Sequence, residues 1–404
     1  MDNFWDSRVA RGIRWRQRWL RTRRLQIVGE PEQKARRGSR YRVAEAQRDL
    51  TGQLRDRGQG PLTGPVALDV AFYTNWRQAP GVEKLAKHLL DVLGTVTPGG
   101  AERGRRSVLY TDDRQVKLLY VHLRAPGTTT IPAIAEHTAL TARPMRDVVA
   151  DLALVHSTQD ESMTTRSTDE DSPLYMPPIP ETGPEPVVDL HHATMEEAGQ
   201  RKTVNDILAA HDHEQLQEAL LRRADALLAA AFSGAPTSIA GAREPSRRHA
   251  DNPRFASAYA MLDEVALNYR QMLMSRLIAT PMPGLPRASG EGQAFRNAVR
   301  QALEELLVQQ PVFAPMCVPL KIILLVVPPL NQGKDLDNLA LTVLPAAQNV
   351  LRPPAITSYE VIEMKRTPAD LPTRYLRLAL GSGSQRGSTW QRLTDYVAKH
   401  RQQP

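Results

Sequence analysis

The run Lys334-Asp335-Leu336-Asp337-Asn338 stands between an apolar, strand-like stretch and an apolar, helix-like one. Carboxylates at i and i+2 at a strand end can turn toward one cation. An oxygen-only donor set suits a hard divalent ion such as Mg²⁺, with waters completing the shell. Asn338 is placed to cap the following helix and so to orient the pair. The plainer alternative is an ordinary Asp/Asn helix start with no chemistry. A second acidic feature, Asp112-Asp113, precedes the alternating stretch QVKLLYVHL. Adjacent carboxylates repel unless a cation or donors offset them, so a pair in a cleft points to a metal and an exposed pair to a turn.

The elements around these residues occur twice in one order. A helix-like segment, Tyr41 to Arg57, leads through PLTGP to the strand-like VALDVAFYT at 66–74, the apolar helix pattern VEKLAKHLLDVLG at 82–94 and the strand pattern at 115–123. Further on, a helix-like segment from Glu291 to Val308 leads to VPLKIILLVV at 318–327, LDNLALTVLPAAQNVL at 336–351 and YEVIEMKR at 359–366. Recurrence of element order at this scale is the mark of an internal duplication.

Both stretches resemble the RusA-like Holliday junction resolvases. The first does so through GPVALDVAFY, VEKLAKHLLDVLG and LYTDDRQVKLLYVHL, the second through KDLDNLALTVLPAAQNVL and its flanking strands. In that family a strand leads to a DLDN motif opening a helix that carries a lysine, and a DD pair precedes the next strand. The resemblance implies an α+β fold of two RusA-like mixed-sheet halves with a helical insert and an acidic linker. It also implies Mg²⁺ or Mn²⁺ held by Asp335, Asp337 and Asp113, and cleavage of branched DNA such as Holliday junctions in recombination or repair. Asp335, Asp337, Asp112, Asp113, Glu83 and Lys87 are the catalytic candidates. Each half departs from the motif. Residues 81–84 read Gly-Val-Glu-Lys where DLDN belongs, while Lys87 and Asp112-Asp113 keep the lysine and the DD pair. The second half keeps Asp335, Asp337 and Asn338, but its lysine slot reads Leu341 or Thr342 and its DD slot falls near Ala355-Ile356. Either the halves form a pseudo-dimer with a weakened or shared hydrolytic site, or the chain is a catalytically reduced junction-binding scaffold.

Charge bears on the partner. The chain of 404 residues carries a net +8, and residues 1–60 hold 16 Lys or Arg against 7 Asp or Glu, so the excess lies at one end. Clustered arginine favours phosphate, because contacts to it release counterions. Arg14, Arg16, Arg18, Arg21, Arg23, Arg24, Arg36, Arg37 and Lys334 are the candidate DNA contacts, with Trp5, Trp15 and Trp19 interleaved; a solvated amphipathic helix is the alternative for this stretch. Residues 131–154 admit a helix-turn-helix with Arg143 and Arg146 toward DNA, or a segment that completes the first half's sheet. The expected domains are a basic half at 1–125, that ambiguous segment at 126–156, and an acidic Pro/Ser/Thr-rich linker at 157–202. A helical insert at 203–255, the second half at 256–382 and a tail at 383–404 follow. One cysteine, Cys317, excludes an internal disulfide and a cysteine zinc site. His191, His192, His211 and His213 lack trusted ligand spacing. With no long apolar run, a cytoplasmic monomer acting as its own dimer, away from membranes, is expected.

Overall fold

The computed structural model describes residues 13–14, 17–18, 20–33, 39–76, 80–101, 104–124, 135–151, 153, 278–286, 291–309, 316, 319–328, 335–353, 355–363 and 376–382. The acidic linker, the helical insert, the tail, Cys317, the four histidines named above and the three N-terminal tryptophans lie outside the described residues, as do Arg16, Arg36, Arg37 and Lys334.

The chain forms a mixed α+β fold around one eight-stranded sheet. Its elements are β1 (Arg23–Val28), α1 (Ser39–Asp56), β2 (Val66–Tyr73), α2 (Val82–Leu93), β3 (Val116–Arg124) and β4 (His137–Pro144). The second set is β5 (Ile278–Pro281), α3 (Gly292–Gln309), β6 (Leu320–Val326), α4 (Leu336–Leu351), β7 (Ile356–Glu363) and β8 (Leu376–Ser382). Across the sheet the order is β1-β4-β2-β3-β7-β6-β8-β5. Read inward from either edge it is the same arrangement: an antiparallel pair, a second antiparallel pairing, then a parallel pair. The two sets of elements therefore correspond one to one.

Alternation along the strands explains the layering, since successive side chains leave opposite faces. Val66, Leu68, Val70 and Phe72 of β2 and Leu320, Ile322, Leu324 and Val326 of β6 share the main core with Leu85, Leu89 and Val92 of α2 and Ala340, Val343 and Leu344 of α4. Helices α1 to α4 all contribute to this core on one face of the sheet, whereas Val148, from the helical residues after β4, packs with Ala67 and Leu118 on the other. Both β2–β3 and β6–β7 carry a register shift at the same point. Val66 faces Val116 and Ala67 faces Leu118, and Leu320 faces Ile356 where Lys321 faces Ser358. Lys117 and Thr357 are the extra residues, the form of a bulge that sharpens local twist.

β3 and β7 pair antiparallel and join the halves, with Tyr120 opposite Glu360 at the middle of the register. Lys321 approaches Glu360 at 3.5 Å and lies 4.8 Å from the centre of the Tyr120 ring, and all three are fully buried. At the rim, Lys117 of β3 meets Glu363 of β7 at 2.8 Å. On the face opposite α1 to α4 the seam is thus closed by a buried charge pair as well as by apolar groups.

Residues 137–144 form a strand hydrogen-bonded to both β1 and β2, so this stretch completes the first half's sheet and does not form the turn and second-helix start of a helix-turn-helix. Arg143 is buried against Asp151 rather than turned outward. The physical reason is alternation: Thr138, Leu140 and Ala142 are buried on one side of HTALTARP, which suits a central strand. Among the described residues no helix is long and apolar enough to cross a membrane.

Removing one partner of a buried pair leaves a charge desolvated without compensation, at a cost of about 3–5 kcal/mol. Lys321→Met is expected to destabilise the chain by that order in denaturant unfolding, and adding Glu360→Leu should restore most of the loss. A single variant within about 1 kcal/mol of the parent would contradict the role given to this pair.

Candidate functional site

The elements that flank the seam bring together residues more than two hundred positions apart. Helix α2 packs against α4, and each of them touches both β3 and β7. Lys87, on the second turn of α2, reaches across to Asp337 on the first turn of α4, with Nζ 2.7 Å from Oδ2. The same ammonium lies 3.8 Å from Asp113 and 3.9 Å from Asp91. Arg114 donates through Nε to Asp335 at 3.3 Å. Lys87, Asp113 and Arg114 come from the first half, and Asp335 and Asp337 from the second. Asp113, Asp335 and Asp337 of the expected carboxylates therefore form with Lys87 one cluster that neither half contains alone.

Local structure fixes each member. Asp112 accepts from the Arg114 backbone N–H at 2.9 Å, and Gln115 Oε1 accepts from the Asp112 N–H at 3.1 Å, a reciprocal cap on the short turn entering β3. This engages Asp112 and leaves Asp113 to face Lys87. On α4 the helix-starting residue is Asp335 rather than Asn338. Asn338 instead donates from Nδ2 to Asp335 Oδ2 at 3.0 Å, and its N–H donates to Asp337 Oδ1 at 2.8 Å. It still orients both carboxylates, but from inside the helix and not as its cap. Asp337 is almost wholly buried, whereas Asp335 and Asp113 are part-exposed at 24% and 32%. The cluster is open on that side.

The electrostatics reflect an excess of carboxylate. Burial raises the Asp113 carboxyl above its ordinary range, the Asp335 and Asp337 charges push it further, and Lys87 partly offsets them. Burial works against the Lys87 ammonium, but Asp337, Asp91 and Asp113 outweigh it and raise its pKa. Beneath the cluster Tyr110 donates to the Leu90 carbonyl at 3.0 Å and is fully buried. Tyr359 of β7 is fully buried too, and its hydroxyl has no hydrogen-bond partner among the described residues. Burial holds that phenol well above its usual range, reinforced by the Asp337 and Glu83 charges, so it remains a neutral donor. Sequence reading gave Tyr359 no role, because within YEVIEMKR it is one strand aromatic among apolar neighbours. Arg114 and Asp91 were missed as well, one beside the acidic pair and one on a helix face, with no signal in spacing to single them out.

Glu83 does not join the cluster. Its side chain folds back over the start of α2, where a Cβ on Gly81 would overlap its carboxylate. Burial raises its pKa, with a backbone hydrogen bond and Lys84 opposing. The second half's counterpart of Asp112-Asp113 also lies earlier than expected. Val116 and Ile356 open the corresponding strands, so the equivalent residues are Arg352 and Pro353 rather than Ala355-Ile356.

The basic N-terminal stretch is more committed than its composition suggests. Arg18 meets Asp151 at 2.7 Å, and Arg21 grips Asp147 with two hydrogen bonds at 2.7 and 3.0 Å. These pairs fasten the stretch to the helical residues 145–151 that follow β4. Arg23 donates to the Gly60 carbonyl at 3.4 Å and is half-buried, as is Arg24, while Arg14 is exposed. Arg18 and Arg21 thus have a fold-holding role beside any contact with a polyanion.

In chemistry the cluster is oxygen-rich and suited to a hard cation. In geometry the Lys87 ammonium already occupies the space between Asp337 and Asp113, and among the described residues no three Asp, Glu, His or Cys side chains converge as metal ligands. With Asp335→Asn and Asp337→Asn together, two charges that raise Asp113 disappear. Its carboxyl should then titrate at lower pH in carboxyl-detected NMR, and an unchanged titration would show that the three do not share one field. No protein-family model matches the chain, and no curated protein matches it.

Proposed function

We propose that this chain is a divalent-cation-dependent endonuclease for branched DNA such as Holliday junctions, related to the RusA-like resolvases and acting in recombination or repair. The observation that carries the reading is the assembly of Lys87, Asp113, Asp335 and Asp337 at the seam from opposite halves. The resemblance to the family had marked these positions in two incomplete sets, and folding makes one set of them. That agreement between motif and geometry also favours a duplicated chain acting as its own dimer.

Asp335, Asp337 and Asp113 are the residues that would hold Mg²⁺ or Mn²⁺. Asp335 and Asp113 are part-exposed and Asp337 has a buried oxygen against Lys87, so the donors fit a hard ion by chemistry. The ion, when bound, supplies Lewis-acid stabilisation of charge on the phosphate being cleaved. The chain's own groups do the rest. Asn338 keeps the two α4 carboxylates oriented. Lys87, with Asp91 as a second partner at 3.9 Å, would set a positive charge beside the phosphate. Arg114 holds Asp335 and presents a guanidinium at the exposed rim, where a phosphate oxygen can share it.

The second reading, a junction-binding scaffold without turnover, is favoured by one observation: the lysine lies where a cation would stand, and no three-ligand set is formed around it.

Cleavage of four-way junctions, forks and linear duplex with and without Mg²⁺ separates the two. Asp335→Asn with Asp337→Asn should abolish cutting by at least about 100-fold while leaving junction affinity within about threefold, because phosphate contacts come from basic groups elsewhere. Full activity in that variant excludes the site. Asp113→Asn alone should impair cutting strongly and Asp112→Asn much less, since Asp112 serves as a cap. The duplicated arrangement also predicts a particle of 45.0 kDa in light scattering at micromolar concentration. A stable species of twice that mass would count against a chain that supplies its own partner half.

A further inference from the structure

The correspondence between the halves defines a second locus, related to the acidic cluster by the seam. Its residues depart from the cluster in one direction. Helix α2 starts where α4 starts, so Gly81 stands for Asp335, Glu83 for Asp337, Lys84 for Asn338, and on α4 Leu341 stands for Lys87. Ahead of β7, Arg352 and Pro353 stand for Asp112 and Asp113. On the strands Leu119 stands for Tyr359, so the unpartnered buried hydroxyl beside the cluster has an apolar counterpart here. The remaining carboxylate, Glu83, is buried and turned over its own helix start, where its oxygens take the place that a Cβ at position 81 would occupy. Lys84 and Arg352 are both exposed. Where one locus carries carboxylates around a lysine, the other has lost every accessible carboxylate and the lysine with them, and has exposed cations at two positions, Lys84 and Arg352, where the cluster has Asn338 and Asp112.

We propose that the two loci divide the work: the acidic cluster is the chain's one cation-binding and cutting centre, and the Lys84/Arg352 locus holds a phosphate without cutting it. One chain then makes one incision in one strand per encounter and releases nicked DNA. A symmetric pair of sites would place two cuts, and a single composite site places one. The proposal rests on the nuclease reading for its cutting half. Its cation count and its phosphate contact are measurable without turnover.

The full chain is titrated with Mn²⁺ and bound ions are counted by electron paramagnetic resonance. One ion per chain is expected, lost in Asp335→Asn/Asp337→Asn and retained in Glu83→Gln. Two ions, or loss in Glu83→Gln, overturns the division, and no ion at all removes both this proposal and the nuclease reading. Lys84→Ala with Arg352→Asn tests the holding role; asparagine suits the left-handed φ of 50° at 352. Four-way-junction affinity should fall several-fold and the salt slope should shrink by about one to two units. An unchanged slope overturns that role. Supercoiled plasmid bearing a cruciform should accumulate open circles first, whereas linear product from the first turnover overturns the single incision. A chain that binds one ion yet cuts nothing loses the nuclease reading, while ion count and salt slope still decide the division.

Discussion

The antiparallel pairing of β3 with β7 is the constraint on which everything else depends. It places the end of one parallel β–α–β unit beside the end of another, and so sets α2 and α4 over a common pair of strands. A slip of one residue would turn every side chain of one strand to the opposite face. Tyr120 would then leave Glu360 and Lys321, and Tyr359 would leave the helical core. The buried lysine and glutamate are costly to misplace, since neither has an apolar alternative partner of equal worth. Charge therefore specifies the register that apolar strands alone would leave looser. The same register decides how far Lys87 stands from Asp337.

Within that frame the acidic cluster is a balance of like and unlike charge. Three carboxylates converge on one ammonium with a guanidinium at the edge; burial and the neighbouring carboxylates raise Asp113, and against burial the carboxylates raise Lys87. Such shifts in a partly open position are a feature of sites that exchange cations or protons, although ion-pair networks that serve only the fold produce them too. The Tyr359 hydroxyl under the cluster, which has no partner among the described residues, is harder to assign to the fold alone, because a buried polar group without a partner costs stability.

Much of the central fold was legible in the chain. Helix α4 starts and ends where its apolar spacing says, and β2, α2 and β3 differ from the reading by a residue or so at their ends. These segments have strong periodicity and clear punctuation. The misreadings share a physical cause. The segment RRLQIV is an edge strand whose arginines hide its alternation, and β5 has only four residues. HTALTARP carries two threonines and a middle that suits two structures, and tertiary pairing chose the strand. Of the candidate site, the acidic residues and Lys87 could be read from motif spacing. Their convergence from opposite halves could not, because it depends on a strand pairing between residues 240 positions apart. The turn of Glu83 over its own helix start could not be read either, because a sequence shows that a carboxylate is present and not which way it turns.

That same separation has a kinetic side. Closing a loop of this length costs more entropy than closing the short connections within each half, although the cost grows only as the logarithm of length. Contacts that are local in the chain form sooner than those that are distant. Each half can assemble its own strands and helices before β3 finds β7, and Lys87 meets Asp337 only afterwards. The cluster is thus a late product of folding. A nascent or partly unfolded chain carries all of its residues and none of its geometry, so whatever chemistry the site performs is withheld until both halves are complete and docked.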